Sequence, residues 1–342
     1  MSLQALSERI RDAAERKLAL RLRGGGSKDF YGNAPRGELL DTRVYAGIVA
    51  YEPSELVLTA RCGTPLSHIE GVLDERGQCL PFEPPHFGAA TFSGCIAAGL
   101  SGPRRASAGA LRDFVLGVKL IDGRGRVLQF GGQVMKNVAG YDVSRLVAGS
   151  LGTLGLIAEA SIKVLPRPPA EITLRLERDE AAALEAMNRW AGEPLPISAT
   201  AWHAGVLHVR LSGSDVAVRG AMSRIAGAEV DYRWDALREQ TDPFFAGDAP
   251  LWRVSVPSVT APLPGAQLIE WGGALRWMRG EGAKLRDLAK RAGGHATLFR
   301  AADKSAGAFQ PLEPVVLRLH RRLKGAFDPA GILNPGRLYA EL

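Results

Sequence analysis

Apolar residues at Leu3, Leu6 and Ile10 fall on one helical face, with Glu8, Arg9, Arg11, Asp12, Glu15 and Arg16 at the remaining positions, so the chain opens with an amphipathic helix. The pattern then switches to period two over Leu20-Arg21-Leu22-Arg23, which predicts a short strand. Residues 56–60 read as another strand after the Glu52-Pro53-Ser54 turn. Thr64 and Pro65 read as the cap and first residue of a helix reaching about Asp74, since the N–H that proline lacks has no partner in a first turn. Pro81, Pro84 and Pro85 make the next segment a loop, and a run of small residues follows over 89–102. Two apolar runs, 114–121 and 126–130, flank Asp122-Gly123-Arg124-Gly125 and predict a hairpin. Asp142 caps a short helix through Leu146, and a long β-rich run over 155–165 ends at Pro166-Arg167-Pro168-Pro169.

Beyond that proline cluster the chain alternates afresh. Strands are predicted over 172–176, 199–202, 206–211, 252–256, 268–271 and 275–278, with helices over 180–190, 215–225 and 283–291. The fold class is α+β, divided into a first domain over 1–166, a smaller α+β cap over 167–325 and a tail over 326–342 that returns to the first domain. Trp202, Trp252, Trp271 and Trp277 alternate with apolar positions in predicted strands and are assigned to core packing.

Composition narrows the class. The 342 residues are 46% hydrophobic, enough for two ordinary domains with a substantial core. Net charge is +7, but the signs are interspersed and no basic tract points to nucleic acid. Cys62, Cys79 and Cys95 are odd in number and widely spaced, so they read as reduced cytosolic thiols and do not supply the four thiolates of an iron–sulfur cluster. No segment has the length of apolar sequence that crosses a bilayer, and membrane contact is expected only through partners. The localisation expected is cytoplasmic, peripheral at the inner membrane only by way of those partners.

Four clusters of glycine and hydroxyl residues punctuate the first half: Gly24-Gly25-Gly26-Ser27, Thr91-Phe92-Ser93-Gly94, Gly99-Leu100-Ser101-Gly102 and Ser150-Leu151-Gly152-Thr153-Leu154-Gly155. Glycine lets successive N–H groups converge on an anion, and Arg23 and Lys28 add charge at the rim of the first cluster. A flexible hairpin tip would use the same three glycines. Four clusters in one predicted domain instead suggest an extended ligand with a diphosphate, a chain of hydroxyls and a flat ring, which describes FAD. No strand leads into a G-x-G-x-x-G fingerprint, so a Rossmann site is not the source of this reading.

The clusters, in this order, resemble the vanillyl-alcohol oxidase or PCMH-type FAD-binding family. Its R-G-G-G loop is matched by Arg23 to Gly26, its T-x-G-G-like loop by Thr91 to Gly94, and its G-S-x-G-T-L-G segment by Gly149 to Gly155. The tail Phe327-Asp328-Pro329-Ala330-Gly331-Ile332-Leu333-Asn334-Pro335-Gly336-Arg337 is the most specific match. The segments 100–105, 112–117 and 132–142 are similar to those of the smaller flavoprotein subunits of bacterial glycolate oxidases. The resemblance implies a PCMH-type two-subdomain FAD domain inside a heteromeric enzyme that oxidises glycolate to glyoxylate. A larger flavoprotein subunit and an iron–sulfur subunit that accepts electrons are the implied partners. It assigns FAD contacts to Arg23, Gly24, Gly25, Gly26, Ser27, Lys28, Thr91, Phe92, Ser93, Gly94, Gly99, Ser101, Gly102, Gly149, Ser150, Gly152, Thr153, Gly155 and Asn334. Ser27 replaces the histidine that links FAD covalently in many relatives, so the flavin is expected to be held non-covalently.

Oxidising a small 2-hydroxy acid requires a base for the hydroxyl proton and a cation for the carboxylate. His295 with nearby Arg300, and His86, are the candidates. No metal site is assigned, because nothing over 170–326 matches the H-x-G-D-G-N-type motif of related catalytic subunits. That departure weighs against a self-sufficient D-2-hydroxy-acid dehydrogenase. The intact glycine loops weigh against a structural subunit with a vestigial flavin fold. Lys136, Asn137 and Tyr141 are polar residues in a segment otherwise fit for burial, and face either flavin, a partner subunit or solvent.

Overall fold

The computed structural model describes residues 2–132 and 141–342, so Lys136 and Asn137 lie outside the described residues. The first helix, Leu3–Glu15, is capped by Ser2, whose hydroxyl accepts the Ala5 amide, and it turns Leu6, Ile10 and Ala13 fully inward. Burying each of the two large aliphatics contributes about 1.5–3 kcal/mol. The alternating strand Leu20–Arg23 pairs in parallel with Glu38–Asp41.

Five antiparallel strands form the sheet of the first unit, in the spatial order Ile48–Glu52, Val57–Arg61, Leu156–Lys163, Val115–Ile121 and Val127–Gly131. The central strand is buried at every position before Lys163. Its Ile157 and Ile162 meet Ile69, Leu73 and Ile96 on one face, while Leu156 and Ala158 meet Leu6, Ile10 and Leu333 on the other. Cover on both faces is why even its polar residues are buried, Glu159 paired with Lys119 and Ser161 hydrogen-bonded to Thr59.

The second unit carries the larger sheet. Its order is Ala228–Val230, Ala170–Glu177, Val206–Gly213, Ile197–His203, Gln267–Glu270, Leu275–Arg279, Leu251–Ser255 and His295–Arg300, antiparallel throughout. Alternation sends Trp202, Ile269, Trp252 and Met278 outward, where the helices Glu180–Ala191, Asp215–Ile225 and Gly282–Arg291 cover them. The opposite set, including Ala201, Leu268, Trp277 and Phe299, packs against Tyr31, Leu100 and Leu151 of the first unit. A continuous apolar core therefore lies between the two units.

Several local expectations are corrected. Helix Leu66–Asp74 begins after Pro65, and Thr64 does not cap it: its hydroxyl donates to Gly47 O and Arg61 O and accepts the Gly47 amide. Residues after Thr91 form a helix, Phe92–Ala98, instead of a loop, and Gly99 ends it in the left-handed conformation with φ 64°. Trp271 lies in a single 3₁₀ turn, Trp271–Gly273, and its Nε1 donates to Gly102 O at 3.0 Å. All four tryptophans are buried. Tyr141 is 95% exposed and lines no core. Strand His295–Arg300 and helix Pro314–Phe327 were not anticipated. After that helix the tail comes back to the first strand, where Leu333 bridges Leu20.

Candidate functional site

Strand Leu20–Arg23 delivers the chain into Gly24-Gly25-Gly26, and this loop lies directly on residues 89–94. A Cβ on Gly24 would sit 2.1 Å from Thr91 Oγ1, one on Gly25 1.5 Å from Ala89 O, and one on Gly26 2.0 Å from Arg23 Nη2. Gly26 also has φ +75°. Gly24 and Gly25 thus serve a close approach between two protein segments, and Gly26 leaves room for the Arg23 side chain of its own loop. The amides of Gly24, Gly25, Gly26, Ser27 and Lys28 make no hydrogen bond within the protein among the described residues. Five successive donors at a half-buried loop are left for an external acceptor.

The loop borders a groove with two lobes of about 90 and 70 Å³ that share Leu22, Arg23, Gly24, Gly94, Leu151 and Asn334. Arg21, Arg23, Lys28 and Arg337 line it against one carboxylate, Asp29, so cations exceed acids by three. Period two in the strand puts Arg21 and Arg23 on one side, where they reach Asp29 Oδ2 at 2.5 and 2.7 Å. Burial pulls the Arg337 guanidinium down to about 10, partly offset by Asp29, and its Nη2 donates to the carbonyls of Lys28 at 3.2 Å and Asp29 at 3.0 Å. Burial also lowers the pKa of Lys28, whose Nζ donates to His86 O at 3.1 Å. Cys62 lines the second lobe, and burial pushes its thiol up to about 12, so it is a neutral wall.

Two hydroxyls lining the groove, Thr91 Oγ1 and Ser93 Oγ, are buried and lack a partner, as does Ser150 Oγ beside the wall residue Leu151. An orphaned buried hydroxyl costs about 1–3 kcal/mol, which a bound polar ligand would recover. Convergent amides, surplus positive charge and unsatisfied hydroxyls fit a phosphate- and hydroxyl-bearing cofactor such as FAD.

Other residues assigned from sequence do different work. Asn334 lines the groove, but its Oδ1 accepts the Leu22 amide at 2.7 Å and its Nδ2 donates to Leu151 O at 2.6 Å, so it holds the walls together. Thr153 Oγ1 donates to Ser150 O, and Ser101 Oγ accepts the Leu111 amide, both inside the protein. Gly99 approaches Gly149, Gly102 approaches Glu83 O, Gly152 approaches Asn334, and Gly155 approaches Leu120, each closer than a Cβ would allow. Phe92 is core, 1% exposed.

The catalytic candidates are not brought together. His295 and Arg300 occupy opposite ends of one strand, a separation of roughly 17 Å at 3.3 Å per residue, too far for one small acid. His295 is exposed, whereas Arg300 is half-buried against Phe30, its guanidinium 3.7 Å from the ring centroid, and bonds Gln240. His86 Nε2 lies 2.8 Å from Glu70 Oε2, and its amide bonds Glu239. Sequence reasoning missed Arg21, Leu22, Leu151 and Arg337 as groove walls. The two-residue alternation could have found Arg21, since it shares a side with Arg23.

A family model described as an FAD-binding domain matches residues 1–131, and one for the C-terminal domain of FAD-linked oxidases matches residues 303–338. The glycolate oxidase subunit GlcE of Escherichia coli (strain K12) is 49% identical over 346 residues, spanning 99% of this chain and 98% of that one. The glycolate oxidase subunit GlcD of Bacillus subtilis (strain 168) is 29% identical over 54% of this chain and 40% of its own length. Among solved structures, p-cresol methylhydroxylase with bound substrate matches with a TM-score of 0.74 over 99% of this chain and 88% of that one, at 15% identity. An alkyldihydroxyacetonephosphate synthase matches with a TM-score of 0.68, covering 96% of this chain and 74% of that one, at 16% identity. These two show a shared fold alone. Identity across nearly the whole length carries more: the chain belongs to the FAD-linked oxidase family, in the group of the glycolate oxidase subunit GlcE.

Proposed function

We propose that this chain is the FAD-holding subunit of a heteromeric glycolate oxidase that converts glycolate to glyoxylate, with a larger flavoprotein subunit and an iron–sulfur subunit as its partners. The observation that carries the reading is the groove itself, where five free amides from Gly24 to Lys28 meet the orphaned hydroxyls of Thr91 and Ser93, with that of Ser150 next to the wall residue Leu151. Similarity to a glycolate oxidase subunit along the whole chain supports the reaction and a multi-subunit assembly.

FAD, when bound, supplies a two-electron acceptor for the carbon bearing the hydroxyl. The chain's own part is to hold and orient it. The amides of residues 24–28, with Arg23 and Lys28, take the diphosphate charge. Thr91 and Ser93 would donate to its oxygens, as would Ser150 beside Leu151, Asn334 fixes the spacing of the walls, and Ser27 would leave the attachment non-covalent. The first domain over 1–166 and the tail over 326–342 build the groove, and the cap over 167–325 closes the inner face. Turnover is assigned to the assembled complex because His295 and Arg300 lie at opposite ends of one strand, and the iron–sulfur subunit is the proposed electron acceptor.

Purified alone, the chain should show flavin absorbance, and acid precipitation should release FAD into the supernatant. The double variant Thr91→Val, Ser150→Ala should bind FAD about tenfold more weakly, at roughly 0.5–1.5 kcal/mol per lost hydrogen bond. Glycolate-dependent dye reduction should require all three subunits in omission assays. A colourless chain that takes up no FAD would overturn the reading.

A further inference from the structure

Helix Pro314–Phe327 is amphipathic, yet its only fully buried side chain is Lys324. Val315, Val316 and Leu319, on one stripe at helical spacing, are 59, 39 and 53% exposed. Helices normally turn such a stripe into the core. This one is tethered instead through its last turn, where the Lys324 ammonium donates to Thr153 O and Leu333 O and pairs with Asp328.

The charge on the helix is one-sided as well. Its fourteen residues contain Arg318, Arg321, Arg322 and Lys324 but no acid. The first three are exposed, and none forms an ion pair or hydrogen bond among the described residues. The surface continues onto the outermost strand of the five-stranded sheet, Val127–Gly131, through Phe130 and Phe327, whose rings are 6.4 Å apart, and Arg124, whose guanidinium donates to Ala326 O. Val127 on that strand is 43% exposed, and the strand's outer edge is unpaired among the described residues.

We propose that the outer face of helix Pro314–Phe327 docks another protein subunit, one that presents an apolar groove rimmed by aspartate and glutamate. The inference rests on the complex proposed above and names the surface through which this chain joins it. Apolar side chains beside unpaired arginines suit a mixed contact, with burial giving affinity and charge giving partner choice. A second copy of this chain is disfavoured, since its own arginines would meet these. A bilayer is disfavoured because the stripe does not stay free: Leu323 and Phe327, which continue it, are half-buried against the protein, leaving a turn and a half to insert.

The test uses the full FAD-loaded chain, co-expressed with the larger flavoprotein and iron–sulfur subunits of the same enzyme. Two variants are compared with wild type, Val315→Glu with Leu319→Glu, and Arg318→Glu with Arg321→Glu. All positions are exposed, so flavin absorbance and melting temperature should be unchanged. Affinity for the partner subunits should fall about 30-fold in the first variant. In the second it should fall and lose its dependence on ionic strength. If wild type assembles and both variants assemble equally well, the surface is wrong and the complex stands. If wild type joins neither subunit, the complex itself falls, and the surface with it. Loss of binding to vesicles of phosphatidylglycerol and phosphatidylethanolamine in both variants, with assembly intact, would overturn the proposal in favour of a membrane contact.

Discussion

Lys324 Nζ lies 2.7 Å from Asp328 Oδ2, both side chains buried and one helical turn apart. Each partner is also tied elsewhere: the ammonium donates to Thr153 O and Leu333 O, and the carboxylate accepts the amides of Ile332 and Leu333. The pair thus joins the last helix, the 150–155 turn and the tail. Lys324→Met would leave the Asp328 carboxylate buried without its cation and should cost about 3–5 kcal/mol in urea unfolding. Lys324→Met combined with Asp328→Asn should recover part of that loss, because the uncompensated charge is gone. Equal stabilities for the single variant and wild type would show that the pair contributes nothing.

Two glycines should respond to alanine in opposite directions. Gly71 sits inside the helix Leu66–Asp74 with nothing within 4 Å of a built Cβ, so Gly71→Ala should raise stability by about 0.5–1 kcal/mol through the unfolded chain. Gly25→Ala would place its Cβ 1.5 Å from a backbone carbonyl, which cannot swing aside as a side chain can. That loop must shift, and bound FAD per chain should fall sharply with circular dichroism unchanged. Full FAD occupancy in the Gly25 variant would refute this account of the loop.

Glu270 is buried between the two units, and its Oε1 accepts Trp277 Nε1 at 2.7 Å. Burial raises its pKa to about 7, against 4.5 for the free side chain. Below pH 4.5 the folded and unfolded states are both protonated, so the group takes nothing from stability. Between about 4.5 and 7 the unfolded chain has ionised while the folded one keeps its proton, and stability falls as pH rises. The loss is complete above about 7 and amounts to about 3 kcal/mol. Glu270→Gln keeps an acceptor for Trp277 and removes the titration. The gap between the variant's stability and that of wild type should therefore widen from pH 4 to pH 8 in urea titrations. A constant gap would contradict the shift.

Much of this architecture was readable from periodicity. The helix Asp215–Ile225 follows from apolar spacing, since it buries one face and exposes the other, and the hairpin around Asp122 from two apolar runs on either side of a turn dipeptide. Helix Pro314–Phe327 carries helical apolar spacing that was not read, and strand His295–Arg300 shows no alternation because Ala296 to Phe299 are all buried, with cover on both faces. At the groove, the glycines were legible but their reason was not. Sequence suggested room for a ligand, whereas Gly24 and Gly25 make room for Thr91 and Ala89. Whether a polar residue is satisfied depends on distant partners: Asn334 is engaged by Leu22 and Leu151, while Ser150 is left free. His295 and Arg300, five apart in sequence, look adjacent until a strand stretches them.

The Asn334 contact with Leu22 spans 312 positions of the chain. A ribosome making this protein therefore releases the glycine turn long before the residue that braces it. Until Asn334 emerges, the cradle has one wall loose, and a nascent chain paused anywhere earlier holds a pocket that is not yet complete.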